Sequence, residues 1–135
     1  MKRVLTLAGA LALVAGVTAA DPAHAADGET VFKKCSSCHN LSADKDHGKK
    51  LGPNLWGVVG SKPASKADYS YSDSYEKLAA KGETWTKENL MGYVENPKKF
   101  LSEKLGEKKV KSKMTFFLKD EEERSAVIDF LATKK

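Results

Sequence analysis

Apolar residues fall at helical spacing along most of the chain after Asp27, and residues able to cap a helix stand just ahead of them. Asp27 precedes a stretch in which Val31, Phe32 and Cys35 share one face. Thr86 precedes Leu90, Tyr93 and Val94, a set closed by Asn96-Pro97. Asp120, with Glu123 three residues on, has the form of a capping box and opens a last helix presenting Val127, Phe130 and Leu131 at i, i+3 and i+4. A shorter helix begins near Asp73 and stops at Gly82. No segment alternates apolar and polar residues as a half-buried strand does, so the pattern predicts an all-α fold with helices bracketing the chain.

The longest apolar run lies at the other end. Lys2 and Arg3 lead into uncharged residues from Val4 to Ala20, followed by Ala23-His24-Ala25. A basic head, an Ala/Leu/Val-rich middle and the small residues of an Ala-x-Ala site predict a secretory signal peptide over residues 1–25, cleaved after Ala25. The competing reading is an uncleaved membrane anchor, for which the run stands at the lower limit of a bilayer span. Cleavage leaves residues 26–135 as a single domain with 21 basic and 17 acidic side chains, a net charge of +4. Its compartment would be the oxidising periplasm. Two cysteines in 135 residues exclude a multi-disulfide scaffold, and 41% hydrophobic with 30% charged residues excludes a disordered chain. A domain this small buries only about two-thirds of the surface its unfolded chain exposes, so a cofactor in the core would strengthen it.

Cys35-Ser36-Ser37-Cys38-His39 supplies the chemistry for one. Two thiols one helical turn apart can add across the two vinyl groups of a porphyrin, and an imidazole immediately after can reach the iron from the same side; C-x-x-C-H is the signature of covalent haem c attachment. A thioredoxin-like redox pair would want a βαβ setting, which the flanks lack. A structural zinc site wants four ligands, and only His47 is left to join Cys35, Cys38 and His39. A plain disulfide would leave His39 without a role.

With His39 on one face of the iron, the other face needs a partner. After Ala25 the methionines are Met91 and Met114. Met91 shares its stretch with Leu90, Tyr93 and Val94 and reads as ordinary helix packing. Met114 sits in Lys111-Ser112-Lys113-Met114-Thr115-Phe116-Phe117, a polar loop turning aromatic, where a lone thioether has no helical face to join. It is the stronger ligand candidate, against the alternative of gap-filling under a loop. His47, among Asp44, Lys45, Asp46 and Lys49, reads as a solvated loop residue.

Further motifs follow in order: Gly52-Pro53-Asn54-Leu55, Tyr69-Ser70-Tyr71, Lys81-Gly82-Glu83-Thr84-Trp85, Tyr93-Val94-Glu95-Asn96-Pro97 and Lys113-Met114-Thr115-Phe116. Together with the cysteine motif they make the chain resemble the class I c-type cytochromes, the group of bacterial cytochrome c2 and mitochondrial cytochrome c. The resemblance implies several helices wrapped round one covalent haem, with the N- and C-terminal helices crossing so that Gly28 and Phe32 meet Val127 and Phe130. It implies that the Pro53 carbonyl takes the His39 ring N–H and that Tyr71 and Trp85 hydrogen-bond a haem propionate. Tyr93 would approach the Met114 sulfur, and Phe116 would cover the exposed haem edge. Two features depart from the group. Ser61, followed by Lys62, stands where an Arg near a propionate is common, and the 98–113 segment is a longer loop than in the mitochondrial proteins.

The function so implied is that of a soluble, monomeric single-electron carrier in the periplasm, working between a cytochrome bc complex and an oxidase or photosynthetic reaction centre. An iron held by both His39 and Met114 has no vacant position for substrate, so electron transfer is favoured over catalysis. Lys33, Lys34, Lys49, Lys50, Lys98, Lys99, Lys108, Lys109, Lys111 and Lys113 would form a positive face for acidic partners, or merely a solvated surface. The alternative is a haem enzyme, or the cytochrome subunit of a periplasmic dehydrogenase. Nucleic acid is a poor partner for an exported haem protein.

Overall fold

The computed structural model describes residues 26–135, so the expected signal peptide over residues 1–25 lies outside the described residues. Among the described residues there are five helices and no strand: α1 (Gly28–Phe32), α2 (Asp73–Ala80), α3 (Lys87–Glu95), α4 (Pro97–Leu105) and α5 (Glu121–Ala132). Every helix is opened by a side-chain oxygen that accepts a first-turn backbone N–H: Asp27, Ser72, Thr86, Asn96 and Asp120 in turn. The last of these is half a capping box. Asp120 accepts from the Glu123 N–H at 2.9 Å, while the Glu123 carboxylate accepts from Lys34 Nζ at 2.6 Å.

The two ends of the fold cross at a glycine. A Cβ on Gly28 would overlap the Ala126 carbonyl and lie 2.6 Å from Phe130 Cβ, so only a bare Cα admits α5 this closely. Phe32 packs on Phe130 with ring centroids 5.9 Å apart. The first helix is shorter than the sequence predicts. It ends at Phe32, and residues 33–38 continue as turns with bonds such as Cys35 N–H to Phe32 O and Cys38 N–H to Cys35 O.

The segment read as a loop over 98–113 is helical in its first half, and this corrects the expectation. Asn96 terminates α3 and also caps α4, accepting from the Lys99 N–H at 3.1 Å. Pro97 occupies the first turn, where its missing N–H costs nothing, and Gly106 at φ 69° ends the helix in a left-handed turn. Burial of Phe100 and Leu101 supplies the packing that holds it. The Asn-Pro pair is thus a junction of two helices as well as the stop of one.

The core is built from Val31, Leu78, Leu90, Leu101, Val127 and Ile128 with the rings of Trp85, Tyr93 and Phe100. Burying a large apolar side chain contributes about 1.5–3 kcal/mol, which is what fixes α3 and α5 against the loops. Arg124 is buried among these residues. Its Nη1 donates to the carbonyls of Leu118 at 2.8 Å and Lys119 at 2.6 Å, tying the segment after Met114 to α5. None of the described helices is long and apolar enough to cross a membrane.

Candidate cofactor site

One cavity of about 220 Å³ runs through the fold, and all eight residues singled out in the sequence line it. Cys35, Cys38, His39 and Pro53 come from the turns that follow α1 and the loop beyond them. Tyr93 comes from α3, and Tyr71, Trp85 and Met114 come from three segments outside the helices. Met91, on α3, packs partly buried against the core and does not line the cavity.

Local backbone bonds present the motif. The N–H groups of Cys38 and His39 both donate to the Cys35 carbonyl at 3.0 Å, closing a single turn that gathers the two thiols and the imidazole. Burial pushes the Cys35 thiol up from its ordinary range. The His39 ring is fixed from behind, with Nδ1 2.7 Å from the Pro53 carbonyl. A carbonyl only accepts, so Nδ1 carries the hydrogen and Nε2 keeps a free lone pair. Burial lowers the His39 pKa, partly opposed by the Pro53 bond, and so favours the neutral ring. Gly52 lets the loop pass beneath that ring: a Cβ there would come within 2.7 Å of His39 Nδ1.

Aromatic side chains form the far wall. Tyr71 stacks on Tyr75 with centroids 5.0 Å apart and planes 5° from parallel, and Trp85 lies 5.0 Å from Tyr93. Burial pushes the Tyr93 phenol up to about 12, with a Ser112 hydrogen bond opposing it, and raises Tyr75 further still. Both are therefore neutral donors at ordinary pH. Ser112 in turn donates to the Met114 carbonyl at 2.9 Å, so Tyr93 reaches the methionine-bearing segment through its neighbour.

Tyr69, part of the Tyr69-Ser70-Tyr71 motif but given no role there, and Tyr75, not singled out by sequence, also line the cavity. The signal for Tyr75 was its four-residue interval from Tyr71 across the Ser72 cap, which lets the two rings stack at the α2 entry. His47 is more than a solvated loop residue. Its ring Nδ1 lies 2.8 Å from Asp68 Oδ2, its backbone N–H donates to the same oxygen at 2.7 Å, and its ring meets Tyr69 edge-on. Leu51, 78% exposed, and Phe116, 38% exposed, stand at the cavity mouth beside Lys34 and Lys113.

The donor set fits a covalently held haem: two unpaired thiols and an imidazole with a free Nε2 in one turn, and a thioether lining the same mainly apolar cavity. Fold and site together define a small helical haem protein. The chain belongs to the cytochrome c family, whose family model, described as Cytochrome c, matches residues 25–135. It is 47% identical over the full length of both chains to a cytochrome c2 of Rhodospirillum rubrum. It is 43% identical to cytochrome c2 of Rhodobacter capsulatus, with 79% of this chain and 83% of that one covered. Among solved structures, cytochrome c2 from Rhodospirillum centenum superimposes with a TM-score of 0.75 at 33% identity, over 80% of this chain and 95% of that one. Ferric cytochrome c-550 from Paracoccus versutus gives 0.73 at 40% identity, over 79% and 93%. The fold is the all-α class I cytochrome c fold, and the cofactor is haem c attached through Cys35 and Cys38. The protein is an electron carrier of the cytochrome c2 kind.

Proposed function

We propose that this electron carrier works in the periplasm after removal of residues 1–25, passing single electrons from a cytochrome bc complex to an oxidase or photosynthetic reaction centre, and that it is not an enzyme. When bound, haem supplies a one-electron ferric/ferrous couple. The observation that carries the reading is that His39 and Met114 line the same cavity, so the chain offers a donor for each face of the iron. His39 gives Nε2 because Pro53 holds Nδ1, and Met114 gives its thioether. With a protein donor on each face, the iron would offer no position to a substrate. Tyr71 and Trp85 would hold the propionates, and the apolar lining would exclude water, which together with the thioether would favour reduced iron.

Docking follows from the cavity mouth. Leu51 and Phe116 form an exposed apolar spot flanked by Lys34 and Lys113, a surface suited to brief contact with an acidic redox partner. Lys34 is already engaged by Glu123 at 2.6 Å, whereas Lys113 holds only the Ser70 carbonyl and the face of Tyr69, so Lys113 carries more of the steering. Stopped-flow electron transfer to a membrane-bound oxidase at rising salt tests this. The rate falls, because exposed charges are screened over about 8 Å at physiological ionic strength. Lys113→Glu slows association more than it alters stability; rates insensitive to both salt and this substitution would overturn the docking surface.

A further inference from the structure

Ser61 leaves the propionate end of the cavity without the guanidinium that the family commonly places there, and hydrogen bonds from neutral Tyr71 and Trp85 bring no charge. Two carboxylates moved into a half-buried site are costly unless a cation is near. Lys62, next in the chain, is exposed. Lys66 is half-buried, and among the described residues no carboxylate pairs with it.

Its contacts place it behind the cavity wall. Lys66 Nζ donates to the Trp56 carbonyl at 2.8 Å, and its backbone N–H donates to the Tyr71 hydroxyl at 3.3 Å. Trp56 belongs to a turn closed by the Val58 N–H on Leu55 O at 3.1 Å, and both Leu55 and Val58 line the cavity. Two residues further on, Gly60 N–H bonds Trp85 O and Trp85 N–H bonds Ser61 O, each at 2.8 Å. Lys66 therefore joins the 56–61 turn to the segment carrying Tyr71, its ammonium on the Trp56 carbonyl and its backbone N–H on the Tyr71 hydroxyl. The chain reaches it by a tight bend: Ala64 has φ 56°, the one non-glycine positive φ among the described residues. Such a conformation is strained for a residue with a Cβ and persists where the surroundings over-determine it.

We infer that Lys66 is the interior cation that offsets the haem propionates at the Tyr71–Trp85 end of the cavity, in place of the charge Ser61 lacks. This rests on the reading that Tyr71 and Trp85 hold those propionates. A positive charge here favours ferrous over ferric iron, and Lys66 acts as a positioning and charge-compensating residue, remote from the axial donors.

The test is the reduction potential of haem-loaded Lys66→Gln, Lys66→Met, Lys66→Arg and Lys62→Gln, with thermal unfolding recorded alongside. Both neutral variants at Lys66 lower the potential, raising the ferric/ferrous ratio at fixed solution potential on the order of fivefold. Lys66→Arg keeps the wild-type value, and Lys62→Gln matches wild type. A wild-type potential in either neutral Lys66 variant, even with lowered stability, would overturn the inference, as would a full shift in Lys62→Gln. Loss of covalent haem or of the methionine-to-iron band in wild type is a separate outcome, which counts against the carrier reading itself.

Discussion

The Nδ1–H of His39 donates to the Pro53 carbonyl at 2.7 Å across a turn in which Gly52 leaves no space for a side chain. One hydrogen bond sets the tautomer, and one missing methyl group sets the ring's position. The two residues are neighbours in Gly52-Pro53, so a single dipeptide orients the imidazole that the cysteine motif brings into the cavity.

Gly52→Ala tests that arrangement. The added Cβ would stand 2.7 Å from Nδ1 and 2.9 Å from Nε2, so the ring must turn off the Pro53 carbonyl or the loop must move. Overpacking of this kind costs typically about 1–3 kcal/mol. Denaturant unfolding of the haem-loaded variant should show a loss in that range. A change below about 0.5 kcal/mol, the scatter of ordinary surface substitutions, would mean that the ring is not held as described.

Arg124 makes a stability prediction that the charge alone would not. Its Nη1 serves two carbonyls, and Nη2 lies 3.9 Å from the half-exposed Glu95 carboxylate. Arg124→Met keeps the apolar bulk but strips donors from the Leu118 and Lys119 carbonyls, at about 1–3 kcal/mol for a group left buried and unsatisfied. Urea unfolding checks the loss. Because those carbonyls follow Met114 in the chain, the methionine-to-iron band of the variant should also vanish at lower denaturant concentration than the helical signal does. Simultaneous loss of the two signals, at an unchanged midpoint, would contradict this.

Asp68 gives a pH dependence with a definite sign. The His47 backbone N–H, and then its ring, hold the Asp68 carboxyl below its ordinary value of 3.8. A depressed folded-state pKa means the unfolded chain binds protons first as the pH falls. The contribution is therefore present above the unfolded value and is lost as acid takes the pH down through the folded one. Asp68→Asn should be less stable than wild type near neutrality and converge with it at strongly acid pH. Urea midpoints for both proteins from pH 7 down to about pH 2 would show it; parallel curves would dissociate Asp68 from acid stability.

Much of this was legible because its signals are local. Asp27, Thr86 and Asp120, each ahead of apolar residues at helical spacing, announced three helices, and Cys35, Cys38 and His39 announced the cofactor by spacing. Helix α4 was hidden because Asn96-Pro97 ends one helix with the same residues that begin the next. The His47–Asp68 pair joins residues 21 apart in the chain, and nothing in either loop's own composition says which loop the other meets. Arg124 was equally silent, since a charged residue on a helix reads as exposed until the carbonyls that satisfy it come from a separate segment. Tyr75 joins the cavity wall by stacking on Tyr71, and the four-residue interval between them, which straddles the Ser72 cap, was the one trace of it in the sequence.

The central claim is that Met114, paired with His39, closes the iron. The most direct measurement is the red-end methionine-to-iron absorption band of the ferric protein, recorded for wild type, Met114→Ala and Met91→Leu. The account predicts the band in wild type and in Met91→Leu, a roughly volume-conserving swap costing less than about 1.5 kcal/mol, and its loss in Met114→Ala with new binding of small ligands. A band that survives Met114→Ala and disappears in Met91→Leu would contradict it.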